Sequence, residues 1–135
     1  MGAPGTHRID VVPRAGVGTV LRRALALRCP ACGTTPLYVR RFVMQPSCAE
    51  CGLVYEPEQG FFVGAIYVNY AVTAAIGLGS VLVLDAFRPM SITAQLLVAV
   101  PLMALVPVLF FHHARSVWLA ITYLFGAVER PGPRR

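Results

Sequence analysis

From Phe61 to Leu84 the chain reads FFVGAIYVNYAVTAAIGLGSVLVL, and from Ser91 to Phe111 it reads SITAQLLVAVPLMALVPVLFF. Neither stretch holds an Asp, Glu, Lys or Arg. Only 13% of the 135 residues are charged, against about 25% in a typical soluble domain. Even at that low frequency the two runs together would be expected to carry about six charges. The apolar fraction is 56% and the mean hydropathy +0.64. A domain of this size buries only about two-thirds of its surface, so water alone is a poor solvent for this composition. The sequence argues against an ordinary soluble enzyme and for a small membrane protein.

As helices, the first run would be about 36 Å long and the second about 31 Å, against a hydrocarbon thickness of about 30 Å. Transmembrane helices are therefore expected over residues 60–84 and 91–111, joined by a tight loop at 85–90. Pro101 and Pro107 lie in the second span, where they remove backbone donors and predict a kink. Seven Arg precede the first span and four follow the second, while the loop balances Asp85 against Arg88. The positive-inside rule then places both termini in the cytoplasm. All twelve basic residues are Arg, a bias that codon usage explains. A net charge of +6 and a pI of 9.7 would suggest nucleic acid in a soluble protein, but beside two spans they report topology.

The flanking segments are less decisive. Residues 1–18 read as a flexible tail without the apolar core of a secretory signal, so insertion is expected through the internal helices. A basic amphipathic helix fits Val17–Leu27, with Val17, Val20, Leu21, Ala24 and Leu25 on one face and Arg22 and Arg23 on the other. It leads a module over 19–58, with strands expected at Leu37–Met44 and Leu53–Tyr55. Beyond the second span, Val117–Val128 would make a helix of about 18 Å, too short to cross. Trp118 and Tyr123 suit residues 112–128 to an interfacial helix, and a bent extension of the second span is the alternative. Residues 129–135 form a second tail.

The strongest chemical signal is Cys29-Pro30-Ala31-Cys32-Gly33 followed by Cys48-Ala49-Glu50-Cys51-Gly52. This C-x2-C-x15-C-x2-C spacing is that of a zinc site, and it uses all four cysteines of the chain. Each pair presents two sulfurs at one turn, and the following glycine permits the backbone conformation that aims amides at thiolate. Iron in a rubredoxin-like centre uses similar pairs. Disulfides would need an oxidising compartment, which the arginine distribution opposes, and a redox dithiol would need only one pair. Zinc is preferred on these grounds. Four thiolates close the coordination sphere, which indicates a structural rather than a catalytic metal.

Arg28-Cys29-Pro30-Ala31-Cys32-Gly33, Leu37-Tyr38, Cys48 to Gly52, Leu53 and Tyr55, followed by two spans, resemble the bacterial family called domain of unknown function 983. The stretch from Glu58 to Tyr70 is similar to a glutamate, glycine, aromatic and Gly-Ala signature found in part of that family. Some relatives carry an acidic-glycine-proline sequence where this chain has Glu58-Gln59-Gly60. The resemblance covers roughly residues 19–125. It implies a short inner-membrane protein of bacteria with a cytoplasmic zinc ribbon, in a family without an established activity. Some members are encoded near haem-copper oxidase genes, which implies a respiratory accessory role.

On a helical wheel, Gly60, Gly64, Ala71, Ala75 and Gly79 fall within about 100° of one another. Such a seam suits close packing, either on the second span or on another subunit. Asn69, Thr73 and Ser80 form a polar stripe on the opposite face, which is costly against lipid and is expected to face protein. His112 and His113 point about 100° apart on a helix, which suits a membrane boundary better than shared ligation of a metal or haem. A triad, a phosphate loop or paired intramembrane carboxylates cannot be found, so an enzyme is not expected, and no small-molecule substrate is identified. The expected fold is thus an N-terminal cytoplasmic four-cysteine zinc ribbon, a two-helix transmembrane hairpin and a C-terminal interfacial helix. Its expected partners are the bilayer and a membrane protein or a second copy. The alternatives are a nucleic-acid or ribosome tether through Arg22, Arg23, Arg28, Arg40 and Arg41, and a redox or metal sensor.

Overall fold

A computed structural model describes residues 15–128. The expected tails, apart from Ala15 to Gly18 at the inner edge of the first, lie outside the described residues. Five elements follow in order: α1 (Val17–Leu25), β1 (Tyr38–Arg40), β2 (Val43–Met44), α2 (Val63–Phe87) and α3 (Ile92–Leu124).

In α1, Val20 and Ala24 sit one turn apart and are fully buried, while Arg22 is exposed. The helix ends short of the expected Leu27 because Leu27 turns left-handed at φ 56°. That turn brings the Arg28 amide onto the Arg23 carbonyl at 2.9 Å and starts the cysteine module. The single strand expected over Leu37–Met44 is instead an antiparallel hairpin, with Tyr38 opposite Met44 and Arg40 opposite Val43. Arg41 and Phe42 make its turn, where two adjacent arginines are best solvated. Leu53–Tyr55 is not a strand but contributes one isolated bridge, Ser47 to Val54, and a second bridge pairs Arg28 with Pro36.

Both long helices are apolar enough to cross a membrane, and only 11% of the most apolar stretch of each is buried. A core helix of a soluble protein would hide most of that surface. At 1.5 Å per residue α2 is about 37 Å long and α3 about 50 Å. Ser91 caps α3 by accepting from the Ala94 amide at 3.4 Å. Because α2 continues to Phe87, the loop is shorter than expected. Gln95, buried beside it, donates to Asp85 and to the Met90 carbonyl, both at 3.4 Å.

The structure overturns a separate interfacial helix over 112–128 in favour of the alternative, an extension of the second apolar helix. Residues 112–124 continue α3 without a break, and the two prolines do not divide the helix. The reason is packing: Leu119, Ala120 and Tyr123 share one buried cluster with Val20 and Ala24 of α1 and with Cys29, Leu37, Cys48 and Tyr55 of the cysteine module. Ser116, also buried, donates to the Ala24 carbonyl at 2.7 Å and locks α1 against α3. The cysteine module therefore sits on the end of α3 that overshoots the apolar span.

Candidate metal centre

The two cysteine turns are built alike. In each, the glycine after the second cysteine adopts a positive φ, 74° at Gly33 and 73° at Gly52. Its amide returns to the carbonyl of the first cysteine, at 2.8 Å from Gly33 to Cys29 and 3.0 Å from Gly52 to Cys48. The first cysteine's own amide bonds beyond the turn, Cys29 to the Thr35 carbonyl at 2.9 Å and Cys48 to the Leu53 carbonyl at 2.8 Å. A side chain at either glycine would be strained.

The turns face each other, and all four sulfurs lie within 4.8 Å of one another. Cys29 Sγ is 3.7 Å from Cys51 Sγ, and Cys32 Sγ is 3.6 Å from Cys48 Sγ. Sulfurs at 2.3 Å around a tetrahedral ion would be about 3.8 Å apart, so the spacing fits a four-thiolate metal site and is far too long for disulfides. The cysteines are free.

Electrostatics point the same way. Burial raises the Cys29 and Cys51 thiols above their ordinary range, and the charge of a neighbouring sulfur adds to the effect. At Cys48 burial also acts upward, but the amides of Cys51 and Glu50 and the hydroxyls of Thr35 and Tyr55 outweigh it and bring the pKa down to about 6. Four sulfurs this close ionise together only beside a cation. The donor set thus suits a thiophilic ion held in a closed sphere.

Three residues that support the site were not identified as such from the sequence. Thr35 Oγ1 lies 3.3 Å from Cys48 Sγ. Tyr55 is fully buried, and its hydroxyl faces Cys48 and Cys29, whose proximity adds to burial in raising its pKa. Arg23 reaches across the first turn and donates to the carbonyls of Pro30 and Ala31 at 3.2 and 2.8 Å. A hint of the Tyr55 role was present in the alternation of buried Leu53 and Tyr55 just past the second turn. The use of Arg23 also removes it from the proposed basic patch, where Arg22, Arg28, Arg40 and Arg41 remain exposed.

The membrane faces are arranged differently from expectation. Gly60 lies before α2, in a turn with φ 84°, so Gly60-x-x-x-Gly64 is not a helical packing pair. Ala71 and Ala75 are exposed, and a Cβ added at Gly79 would meet open space. The helices meet instead along the polar stripe. Asn69 donates to the Pro107 carbonyl at 3.1 Å, Thr73 is buried and donates to the Asn69 carbonyl at 2.8 Å, and Ser80 donates to the Gly77 carbonyl at 2.7 Å. Hydrogen-bonding groups favour the face where protein supplies partners. Two glycines permit close approach: Gly77, where an added Cβ would press on Met103, and Gly64, where it would overlap the indole of Trp118. Trp118 Nε1 in turn donates to the Phe61 carbonyl at 2.8 Å.

His112 and His113 diverge. The His112 ring lies against Tyr38 and Phe42, with centroids 4.9 and 5.3 Å away, and its Nε2 contacts the Arg41 carbonyl. His113 stacks on Phe110. His112 thus ties the β1–β2 hairpin to α3.

No curated protein and no solved structure matches the chain. The family described as Protein of unknown function (DUF983) matches residues 38–123, which include the hairpin, the second cysteine turn and both long helices. The match starts at residue 38 rather than 19, so Cys29 and Cys32 precede it. Covering more than half of the chain, it identifies this protein as a member of the DUF983 family.

Proposed function

We propose that the chain is a non-enzymatic accessory protein of the bacterial inner membrane, an accessory subunit or assembly factor of a larger membrane complex, carrying a structural zinc ribbon on the cytoplasmic side. The observation that carries this reading is the shared core of the cysteine module, α1 and residues 112–124 of α3. It makes the ribbon an extension of a helix hairpin, with Cys29 and Cys48 buried, Cys32 and Cys51 partly buried, and no fifth protein ligand needed. The charge distribution, +3 before the spans, zero in the loop and +3 after them, supports the orientation. Zinc is assigned from the four-sulfur donor set and the C-x2-C spacing. The respiratory assignment rests on the family resemblance alone, and it names haem-copper oxidase as the complex to test.

Purification of the tagged full chain in a mild detergent, with metal analysis and mass spectrometry of co-purifying proteins, tests the reading. One zinc per chain and recovery of oxidase subunits are expected. Stoichiometric iron would overturn the metal assignment, and a chain that consistently purifies without any membrane complex would overturn the accessory role.

A further inference from the structure

A groove of about 730 Å³ runs between α2 and α3, within the roughly 300–1,000 Å³ range of ligand pockets. Phe62, Ala65, Ile66, Met103, Pro107 and Phe111 give it apolar walls along the spans. At the end nearest the cysteine module it changes character, because Glu56 and Arg115 both line it. The Arg115 guanidinium is held 4.4 Å from the Phe62 ring centre and 5.2 Å from that of Phe111. Each of these partners is uncharged. Aromatic faces fix the plane of a guanidinium without using its N–H donors, which suits Arg115 to an incoming anion. It lies four residues beyond Phe111, about 6 Å past the end of the apolar run, the level of lipid headgroups.

We propose that this groove binds one phosphatidylethanolamine molecule, its phosphate on Arg115, its ammonium toward Glu56 and an acyl chain between α2 and α3. The rim carries one charge of each sign, and this headgroup carries the complementary two. A purely anionic headgroup would satisfy Arg115 but place like charge beside Glu56. The inference rests on the reading that α2 and α3 span a bilayer and goes beyond it by naming a bound lipid.

The test uses the delipidated full chain in mild detergent, with dioleoyl phosphatidylethanolamine or dioleoyl phosphatidylglycerol added and bound lipid counted by native mass spectrometry. One phosphatidylethanolamine per chain is expected, retained about tenfold better than phosphatidylglycerol, the effect of one charge-assisted contact. Arg115→Gln should weaken retention about tenfold. Ala65→Phe, which fills the groove and leaves both rim charges in place, should abolish it. Retained metal and helical circular dichroism confirm folding of each variant. Equal retention of the two lipids by the unmodified chain, or unchanged retention in either folded variant, overturns the proposal. Carbonate extraction of native membranes separates the two readings: a chain that stays in the membrane yet shows no lipid selectivity sinks the lipid site alone, and a chain released by carbonate sinks the spans as well.

Discussion

The two halves of α3 bury different amounts of themselves. Between Ile92 and Phe111 the buried residues are Gln95 and Ala99, whereas between His112 and Leu124 they are Ala114, Ser116, Leu119, Ala120, Thr122 and Tyr123. Leu109 is 65% exposed and Leu119 0%, although they are the same residue type on one continuous helix. The first half is apolar toward its surroundings and the second is apolar toward the protein. A helix therefore need not end where its solvent changes, and composition alone does not mark its terminus.

Removing the metal should break this contrast most completely. Structural zinc supplies on the order of 10 kcal/mol or more to small modules, so chelation or Cys48→Ser should raise hydrogen exchange across residues 27–55 and 112–124. Residues 96–108 should stay protected. Continued protection of 112–124 after metal removal would show that the second half of α3 folds without the ribbon. Acid should act in the same direction, because protons compete with metal for thiolate: metal retention should fall as pH is lowered, and flat retention from pH 8 to about 4 would count against thiolate ligation.

A matched pair of substitutions sharpens the comparison. Leu119→Ala should destabilise the docked module by about 2–5 kcal/mol, while Leu109→Ala should change it by less than about 0.5 kcal/mol. Metal release under denaturant reads both, and equal effects would erase the distinction between the halves. Gly64→Ala should cost about 1–3 kcal/mol through overlap with Trp118, with Gly79→Ala near neutral as its control. Controls aside, the smallest effect belongs to the apolar half. Asn69→Leu removes the bond to the Pro107 carbonyl, and such bonds average about 0.6 kcal/mol between spans. A crosslink between cysteines introduced in α2 and α3 should weaken only slightly, and complete loss would mean that the helix pair depends on this one amide.

The cysteine site was legible because its chemistry is local. Two turns of fixed spacing specify four sulfurs whatever surrounds them, and Cys29, Cys32, Cys48 and Cys51 do converge. The two long apolar helices were legible from missing charge. The continuation of α3 was not, since His112-His113-Ala114-Arg115 looks like the end of an apolar helix and these residues are stabilised by distant partners, α1 and the hairpin. Helical phase grouped Asn69, Thr73 and Ser80, but it could not say which face meets α3, and Gly64, assigned to the opposite face, also packs on α3 through Trp118. That choice depends on what the opposing helix offers to Asn69, and on Met103 and Trp118 filling the space left by Gly77 and Gly64. The supporting roles of Tyr55 and Arg23 were not legible for a similar reason, as they arise only once the turns are folded.

Because Ser116 bonds α1 and His112 bonds the hairpin, in addition to the shared core, the module is fixed along a single rod. A rod attached in this way acts as a lever. The part of α3 beyond the apolar span is about 20 Å long, so a change of about 10° in helix tilt, such as a thicker or thinner bilayer imposes, would carry the ribbon sideways by about 3 to 4 Å. With α2 and α3 set in a bilayer, its thickness would thereby be converted into the position of a protein surface.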